Sequence, residues 1–115
     1  MAAVLLDPQQ VWATIEEMVR RIVERFQPER IILFGSQARR TAGPDSDVDL
    51  LVVMLVAENR KRELRLAIRG ALSDLPIAKD IIVVTPQQAE RYGHLVGTII
   101  HPALREGTVL YERAA

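Results

Sequence analysis

Two carboxylates stand two residues apart at the start of an apolar segment. Asp47 and Asp49 lead into the run Leu50–Val56. Alternate side chains of a strand point to the same face, so we expect both carboxylates on one face, roughly 6–7 Å apart. Two anions at that separation repel each other by roughly 2–3 kcal/mol at an effective dielectric constant near 20. Solvent or a bound cation would relieve this repulsion, and carboxylate oxygens suit Mg²⁺ or Mn²⁺.

A Gly-Ser turn precedes these carboxylates and could bind phosphate. Gly35 and Ser36 follow an apolar segment, and ten residues separate Ser36 from Asp47. The turn offers backbone N–H groups and a hydroxyl, which are donors that phosphate oxygens accept. Such a turn is a weak signal by itself, because any strand-to-helix connection can use one. Its spacing from the carboxylate pair makes it informative.

Hydrophobic periodicity predicts the elements that must position these groups. Asp7 and Pro8 have the pattern of an N-cap and a first helical residue, and Pro28 should end that helix. Thr85 to Gln88 has the capping-box pattern of another helix start. The predicted helices cover residues 8–27, 58–73 and a stretch from 85, with a short helix after Ser36 and a helical stretch over Leu95–Leu104; the predicted strands are 30–34, 48–56, 79–84 and an edge strand at 108–111.

The lengths of the connections predict how the strands pair. The connector between the first two strands, residues 35–47, is predicted to hold only a short helix, whereas parallel neighbours are usually joined by a full crossover helix, so we expect this pair to be antiparallel. A full helix joins the second and third strands, as in a parallel unit. Their N-terminal ends should then lie side by side, which brings Asp80 beside Asp47 and Asp49.

Composition narrows the class of protein. The 115 residues and the 49% hydrophobic fraction predict one domain, residues 1–115, with a real core. Lys and Arg together number 15, as do Asp and Glu, so net charge provides no nucleic-acid or membrane surface. There is no cysteine, which excludes a thiolate site. We expect a cytoplasmic protein, because the first residues lack the pattern of a signal peptide.

The motif Gly35-Ser36, ten residues, Asp47-Val48-Asp49 resembles the signature of the polymerase-beta-like nucleotidyltransferases. The short length, the Ala38-Arg39 pair and the Asp45-Ser46 lead-in resemble its minimal nucleotidyltransferase (MNT) group. The resemblance runs from about residue 30 to 111 and implies an α+β fold, a small mixed sheet with helices packed on it. Many relatives have Gly where this chain has Arg40, whose role stays open.

The resemblance implies a set of site residues. In that family two carboxylates of the motif and a third on a neighbouring strand hold two Mg²⁺, with Mn²⁺ as a substitute; here they are Asp47, Asp49 and Asp80, which would be both catalytic and metal-binding. Gly35 and Ser36 would hold the phosphates of the nucleotide. Arg39 is a further candidate phosphate contact, although a helix-surface arginine commonly faces water.

The implied activity is transfer of a nucleoside monophosphate, AMP from ATP, onto a hydroxyl. MNT proteins are commonly antitoxins paired with a HEPN-domain toxin, a ribonuclease, which implies a protein acceptor and a hetero-oligomer. A chain of 115 residues leaves little room for an acceptor domain, so the acceptor should bring its own docking surface, with Leu95–Leu104 as a candidate contact. The alternatives are a small-molecule transferase of the aminoglycoside kind and an antitoxin that neutralises its partner by binding alone.

Simpler explanations exist for several of these residues. The two motif carboxylates could be a solvated strand start or a calcium loop, but no Gly and no Glu follow at the EF-hand positions. Asp80 alone could be an exposed strand-start residue. His94 and His101 have no second histidine or cysteine three or four residues away, so a metal role is not expected for them.

Overall fold

A mixed four-stranded sheet organises the part of the chain that the computed structural model describes, residues 6–35, 47–92 and 106–114. A one-turn 3-10 helix, Glu58–Arg60, precedes the second α-helix. In chain order the elements are α1 (Pro8–Phe26), β1 (Arg30–Phe34), β2 (Val48–Val53), α2 (Lys61–Ala71), β3 (Lys79–Val84), α3 (Pro86–Tyr92) and β4 (Thr108–Glu112).

The first helix begins and ends where its sequence signals predict. The Asp7 side chain accepts a hydrogen bond from the backbone N–H of Gln10 at 2.8 Å, and the Gln10 side chain accepts one from the Asp7 N–H at 2.9 Å. This reciprocal capping satisfies backbone donors that the first turn leaves free. Gln27 ends the helix in the left-handed conformation, one residue before Pro28.

The strand pairing confirms the predicted topology. The order of strands is β3-β2-β1-β4, with β1 antiparallel to both β2 and β4. β2 and β3 run parallel, joined by the segment that contains α2. β1 is therefore an interior strand, and Ile31, Ile32 and Leu33 are all buried as its apolar sequence predicts.

The sheet has two apolar faces of unequal size. α1 and α2 pack on the larger face, where the Arg21 guanidinium ties the helices together by donating to the Ala71 carbonyl at 3.0 Å and to Asp74 at 2.6 Å. The smaller face carries Ile32, Leu51, Val53 and Val84, with Ala89 of α3 buried against them. The buried residues of the larger cluster are Val11, Ile15, Met18, Ile22, Ile31, Leu33, Val48, Leu50, Val52, Ile68, Leu72, Ile81 and Val83. The architecture is α+β, as predicted.

Two predicted boundaries were wrong by a few residues. β2 ends at Val53 and not at Val56, because its last ladder partner on β1 is Arg30 and Leu55 is already 70% exposed. The predicted helix 58–73 is a 3-10 turn followed by an α-helix that ends at Ala71.

The capping box at Thr85 is present, with the Gln88 N–H donating to Thr85 Oγ1 at 3.1 Å.

Two predicted segments, the short helix after Ser36 and the stretch Leu95–Leu104, lie outside the described residues, as do His94 and His101. Among the helices that are described, none combines the length and the hydropathy needed to cross a bilayer.

Candidate functional site

Register places two of the predicted carboxylates side by side. In the parallel pair of β2 and β3, Asp49 stands opposite Asp80, and in the antiparallel pair of β1 and β2, Phe34 stands opposite Asp49. Neighbouring strands lie about 4.8 Å apart, and residues in register on adjacent strands point to the same face. Asp49 and Asp80 therefore project together from the smaller apolar face, since Leu51 of that face is two residues from Asp49.

Asp47 is the third member of this carboxylate cluster, by which we mean Asp47, Asp49 and Asp80. It is exposed and immediately precedes β2. The next residue, Val48, donates its backbone N–H to the Ala78 carbonyl at 2.9 Å, which ties this end of β2 to the start of β3. The backbone thus brings the three residues to the same end of the sheet, although Asp47 lies outside the strand itself.

The electrostatics of the cluster single out Asp49. Asp49 is partly buried, whereas Asp47 and Asp80 are exposed. Burial raises the pKa of the Asp49 carboxyl above its ordinary value, and the negative charges of Asp80 and then of Asp47 raise it further. Both neighbours therefore lie close enough to act on Asp49, and ionising this carboxyl costs more free energy in the folded protein than in the unfolded chain.

Basic side chains in the described residues do not neutralise the cluster. The ion pairs among those residues join other groups, such as Arg21 to Asp74 and Lys61 to Glu58. Lys79 precedes Asp80 and so belongs to the opposite face of β3; its Nζ donates to the Leu75 carbonyl at 3.2 Å. Burial lowers the pKa of Lys79, and the positive charge of Arg69 lowers it further. The nearest lysine in the sequence is thus engaged away from the carboxylates.

The donor set fits a hard divalent cation in its chemistry. All three side chains offer carboxylate oxygens, the ligands preferred by Mg²⁺ and Mn²⁺. A compact group of three His, Cys, Asp or Glu side chains able to hold a metal is not found within residues 6–35, 47–92 and 106–114. The register brings Asp49 and Asp80 side by side, and a site of three carboxylates would need exposed Asp47 to approach them.

Gly35 lies against this cluster through a contact that the sequence did not reveal. It follows β1 directly and has φ +75°, in the left-handed region that favours glycine. A Cβ built on Gly35 would overlap Oδ2 of Asp49. The sequence predicts Gly35 only as part of a phosphate-binding turn; the pairing of Phe34 with Asp49 is the signal that could have exposed the contact, but it requires the register to be known.

The remaining predicted phosphate contacts, Ser36 and Arg39, lie outside the described residues, as does Arg40.

An apolar cavity of about 380 Å³ is present in the described part of the chain, but it lies at the opposite end of β2 from Asp49. Its lining includes Leu55 and Leu64, together with Arg60 and Glu63, which pair with each other at 3.0 Å. Its position and apolar lining make it a poor site for triphosphate chemistry.

The sequence matches the model of a protein family over most of its length. The family described as "Nucleotidyltransferase domain" matches residues 15–108, which include β1, β2, β3 and the whole carboxylate cluster. No curated protein sequence matches the chain.

Solved structures share the fold. A crystal structure described as a nucleotidyltransferase from Sulfolobus solfataricus has 18% sequence identity and a TM-score of 0.60, with 94% of this chain and 91% of that chain covered. A structure described as a minimal nucleotidyltransferase has 27% identity and a TM-score of 0.53, with 90% of this chain and 95% of that chain covered. A mutant of the toxin–antitoxin complex MntA-HpeT has 17% identity and a TM-score of 0.52, covering 86% and 72% respectively.

Proposed function

Because the chain belongs to the nucleotidyltransferase domain family, we propose that it transfers AMP from ATP to a hydroxyl group of a protein acceptor, with Mg²⁺ or Mn²⁺ as the metal. The observation that supports this most strongly is the register of Asp49 with Asp80 at the starts of β2 and β3, next to exposed Asp47. A binding module gains no stability from clustered anions, whereas a metal-dependent transferase needs them.

The metal would be held by Asp47, Asp49 and Asp80. The family resemblance implies two ions at this site. Divalent ions supply charge neutralisation for the triphosphate and lower the pKa of the attacking hydroxyl. The chain's own contribution is to hold three oxygen donors at one end of the sheet, with Asp49 fixed between β1 and β3. The Gly35-Ser36 turn would bind the phosphates through its N–H groups and hydroxyl.

The reaction is a substitution at the α-phosphorus of ATP. The acceptor oxygen forms a bond to the α-phosphorus, the bond from that phosphorus to the oxygen bridging to the β-phosphate breaks, and pyrophosphate leaves. The acceptor proton goes to a carboxylate, and exposed Asp80 is the candidate because it can face an acceptor arriving from solvent. Catalysis in this scheme is positioning and charge neutralisation.

The proposed acceptor is a HEPN-type toxin, which would make the protein an antitoxin within a hetero-oligomer. The likeness to the antitoxin fold of the MntA-HpeT complex supports this choice. The balance of 15 basic and 15 acidic residues provides no basic groove that would hold a nucleic-acid acceptor. Transfer to a small molecule of the aminoglycoside kind and neutralisation by binding alone are the competing functions.

The test offers three acceptors to the protein together with ATP labelled at the α-phosphate and Mg²⁺. The acceptors are the protein encoded beside this chain, an aminoglycoside such as kanamycin, and RNA. We expect label on a hydroxyl side chain of the neighbouring protein only, and none when Asp47 and Asp49 are both replaced by asparagine.

Other outcomes separate the competing functions. Label on kanamycin or RNA with none on the neighbouring protein would overturn the protein-acceptor proposal. Neutralisation of the neighbour by the double asparagine variant, without label, would replace transfer with binding alone.

A further inference from the structure

Gly35 and Asp49 occupy adjacent space at the end of β1. The residue before Gly35, Phe34, is the register partner of Asp49. A Cβ added at Gly35 would overlap Oδ2 of Asp49 and would lie 3.4 Å from its Cγ and 3.7 Å from its Cβ. The three nearest atoms all belong to Asp49. The Asp49 carboxylate thus fills the volume that a side chain at position 35 would need.

We propose that Gly35 is a positioning residue for the metal-binding carboxylate. By having no side chain, it leaves the space that Asp49 Oδ2 occupies, and Asp49 stands opposite Asp80 in the sheet. This role is distinct from phosphate binding by the Gly-Ser turn, because it acts on a carboxylate and requires no nucleotide. Its importance for metal binding rests on the proposed function; the spatial relation of the two residues does not.

Two separate demands fall on Gly35, and an experiment must distinguish them. The first is its φ of +75°, which is unfavourable for other residues, and the second is the space taken by Asp49. An alanine at position 35 would have to displace the Asp49 carboxylate or shift the backbone of the turn. Misplacement of a reacting or ligating group by about 1 Å can cost two orders of magnitude in function.

The first measurement is the affinity of the ion-free protein for Mn²⁺ alone, by electron paramagnetic resonance or calorimetry. We expect Gly35→Ala to weaken Mn²⁺ binding by at least about tenfold. Gly70→Ala is the matched control, because Gly70 lies in α2 and a Cβ there would meet nothing within 4 Å. This control should bind Mn²⁺ as the wild type does and melt at the same or a higher temperature. Unchanged Mn²⁺ affinity in folded Gly35→Ala would overturn the proposal.

The second measurement is a double-mutant cycle on the melting temperature of the ion-free protein. Asp49→Ala removes Oδ2 and Cγ and leaves only Cβ, at an ordinary contact distance of 3.7 Å. In that background Gly35→Ala should meet only the conformational strain, so its drop in Tm should be several degrees smaller than in the wild type. Equal drops in the two backgrounds would show that Gly35 is needed for its φ alone and would overturn the proposal.

The cycle also covers two awkward results. If Gly35→Ala fails to fold, recovery of folding in the double variant with Asp49→Ala supports the steric relation, and failure of both contradicts it. A wild-type protein that binds no Mn²⁺ would contradict the proposed function, whereas the cycle would still decide whether Gly35 makes room for Asp49.

Discussion

Replacing Asp49 with asparagine should stabilise the ion-free protein at neutral pH and should remove its stabilisation by Mn²⁺. The pKa of the Asp49 carboxyl is raised in the folded state, by burial and by the charges of Asp80 and Asp47. Between the ordinary and the raised pKa, the folded protein binds more protons than the unfolded chain, so stability falls as the pH rises through that window. Above the raised pKa the whole cost of the Asp49 charge is present, and the amide removes it.

The expected size of this effect follows from the strand register. Asp49 and Asp80 are direct neighbours on strands about 4.8 Å apart, a separation at which two charges repel by about 1 kcal/mol in a water-like dielectric and about 3 kcal/mol at a dielectric constant near 20. Because Asp80 is exposed, the lower figure applies. A gain of about 1 kcal/mol corresponds to about 4 °C in Tm for a domain of this size.

Thermal melting in a chelator and in Mn²⁺ measures both parts of this prediction. Mn²⁺ at about 100 times its Kd should stabilise the wild type by about 2.7 kcal/mol, or about 10 °C, and should leave Asp49→Asn unchanged. Well below the ordinary aspartate pKa of about 3.9 the wild type and the variant should melt together, because the carboxyl is then protonated in both the folded and the unfolded state.

Asp74→Asn is the control of opposite sign. The hydrogen bond from Arg21 lowers the pKa of Asp74, so its charge favours the folded state and its removal should lower Tm at neutral pH. If Asp49→Asn melts no higher than the wild type in chelator at pH 7, or if its advantage persists at pH 3, then charge repulsion at Asp49 is not the cause and the electrostatic reasoning is refuted.

Three further substitutions test the site and the elements that support it. Asp80→Asn should keep ATP binding by calorimetry and reduce transfer by about 10²- to 10⁴-fold; full activity would remove Asp80 from the site. Ile68 of α2 is fully buried, so Ile68→Ala should lower the free energy of unfolding in urea by about 2–5 kcal/mol. Leu66 is 54% exposed, so Leu66→Ala should lower it far less. Similar losses in the two variants would contradict the packing. Asp7→Ala should cost about 1 kcal/mol by removing the cap on the Gln10 N–H, and an unchanged unfolding midpoint would contradict that role.

The elements that depend on local signals could be predicted closely from the sequence. The helix predicted over 8–27 is Pro8–Phe26, because the Asp7 cap and the left-handed Gln27 before Pro28 are properties of a few adjacent residues. The strand predicted from Lys79 to Val84 has those bounds. The pairing of strands also followed the prediction, although the 13 residues between Phe34 and Val48 stand at the lower limit for a parallel crossover, so connection length favoured the antiparallel pair without requiring it.

The features that depend on contacts between distant segments could not be predicted. β2 stops at Val53 because of where its partner β1 begins, and nothing within the apolar run to Val56 marks that point. The approach of Gly35 to Asp49 likewise needs the register of β1 with β2, which a sequence pattern leaves undefined. Topology predicted that Asp80 would lie near Asp49. That the two residues stand directly opposite each other follows only from the register of β2 with β3.

The central claim, that the carboxylate cluster catalyses nucleotidyl transfer, is tested most directly by comparing ATP labelled at the α-phosphate with ATP labelled at the γ-phosphate. With Mg²⁺ and the neighbouring protein as acceptor, we predict that only the α-label is transferred, with one pyrophosphate released per label. Asp47→Asn together with Asp49→Asn should abolish both signals. Transfer of the γ-label, or α-label transfer that survives in this double variant, would contradict the claim.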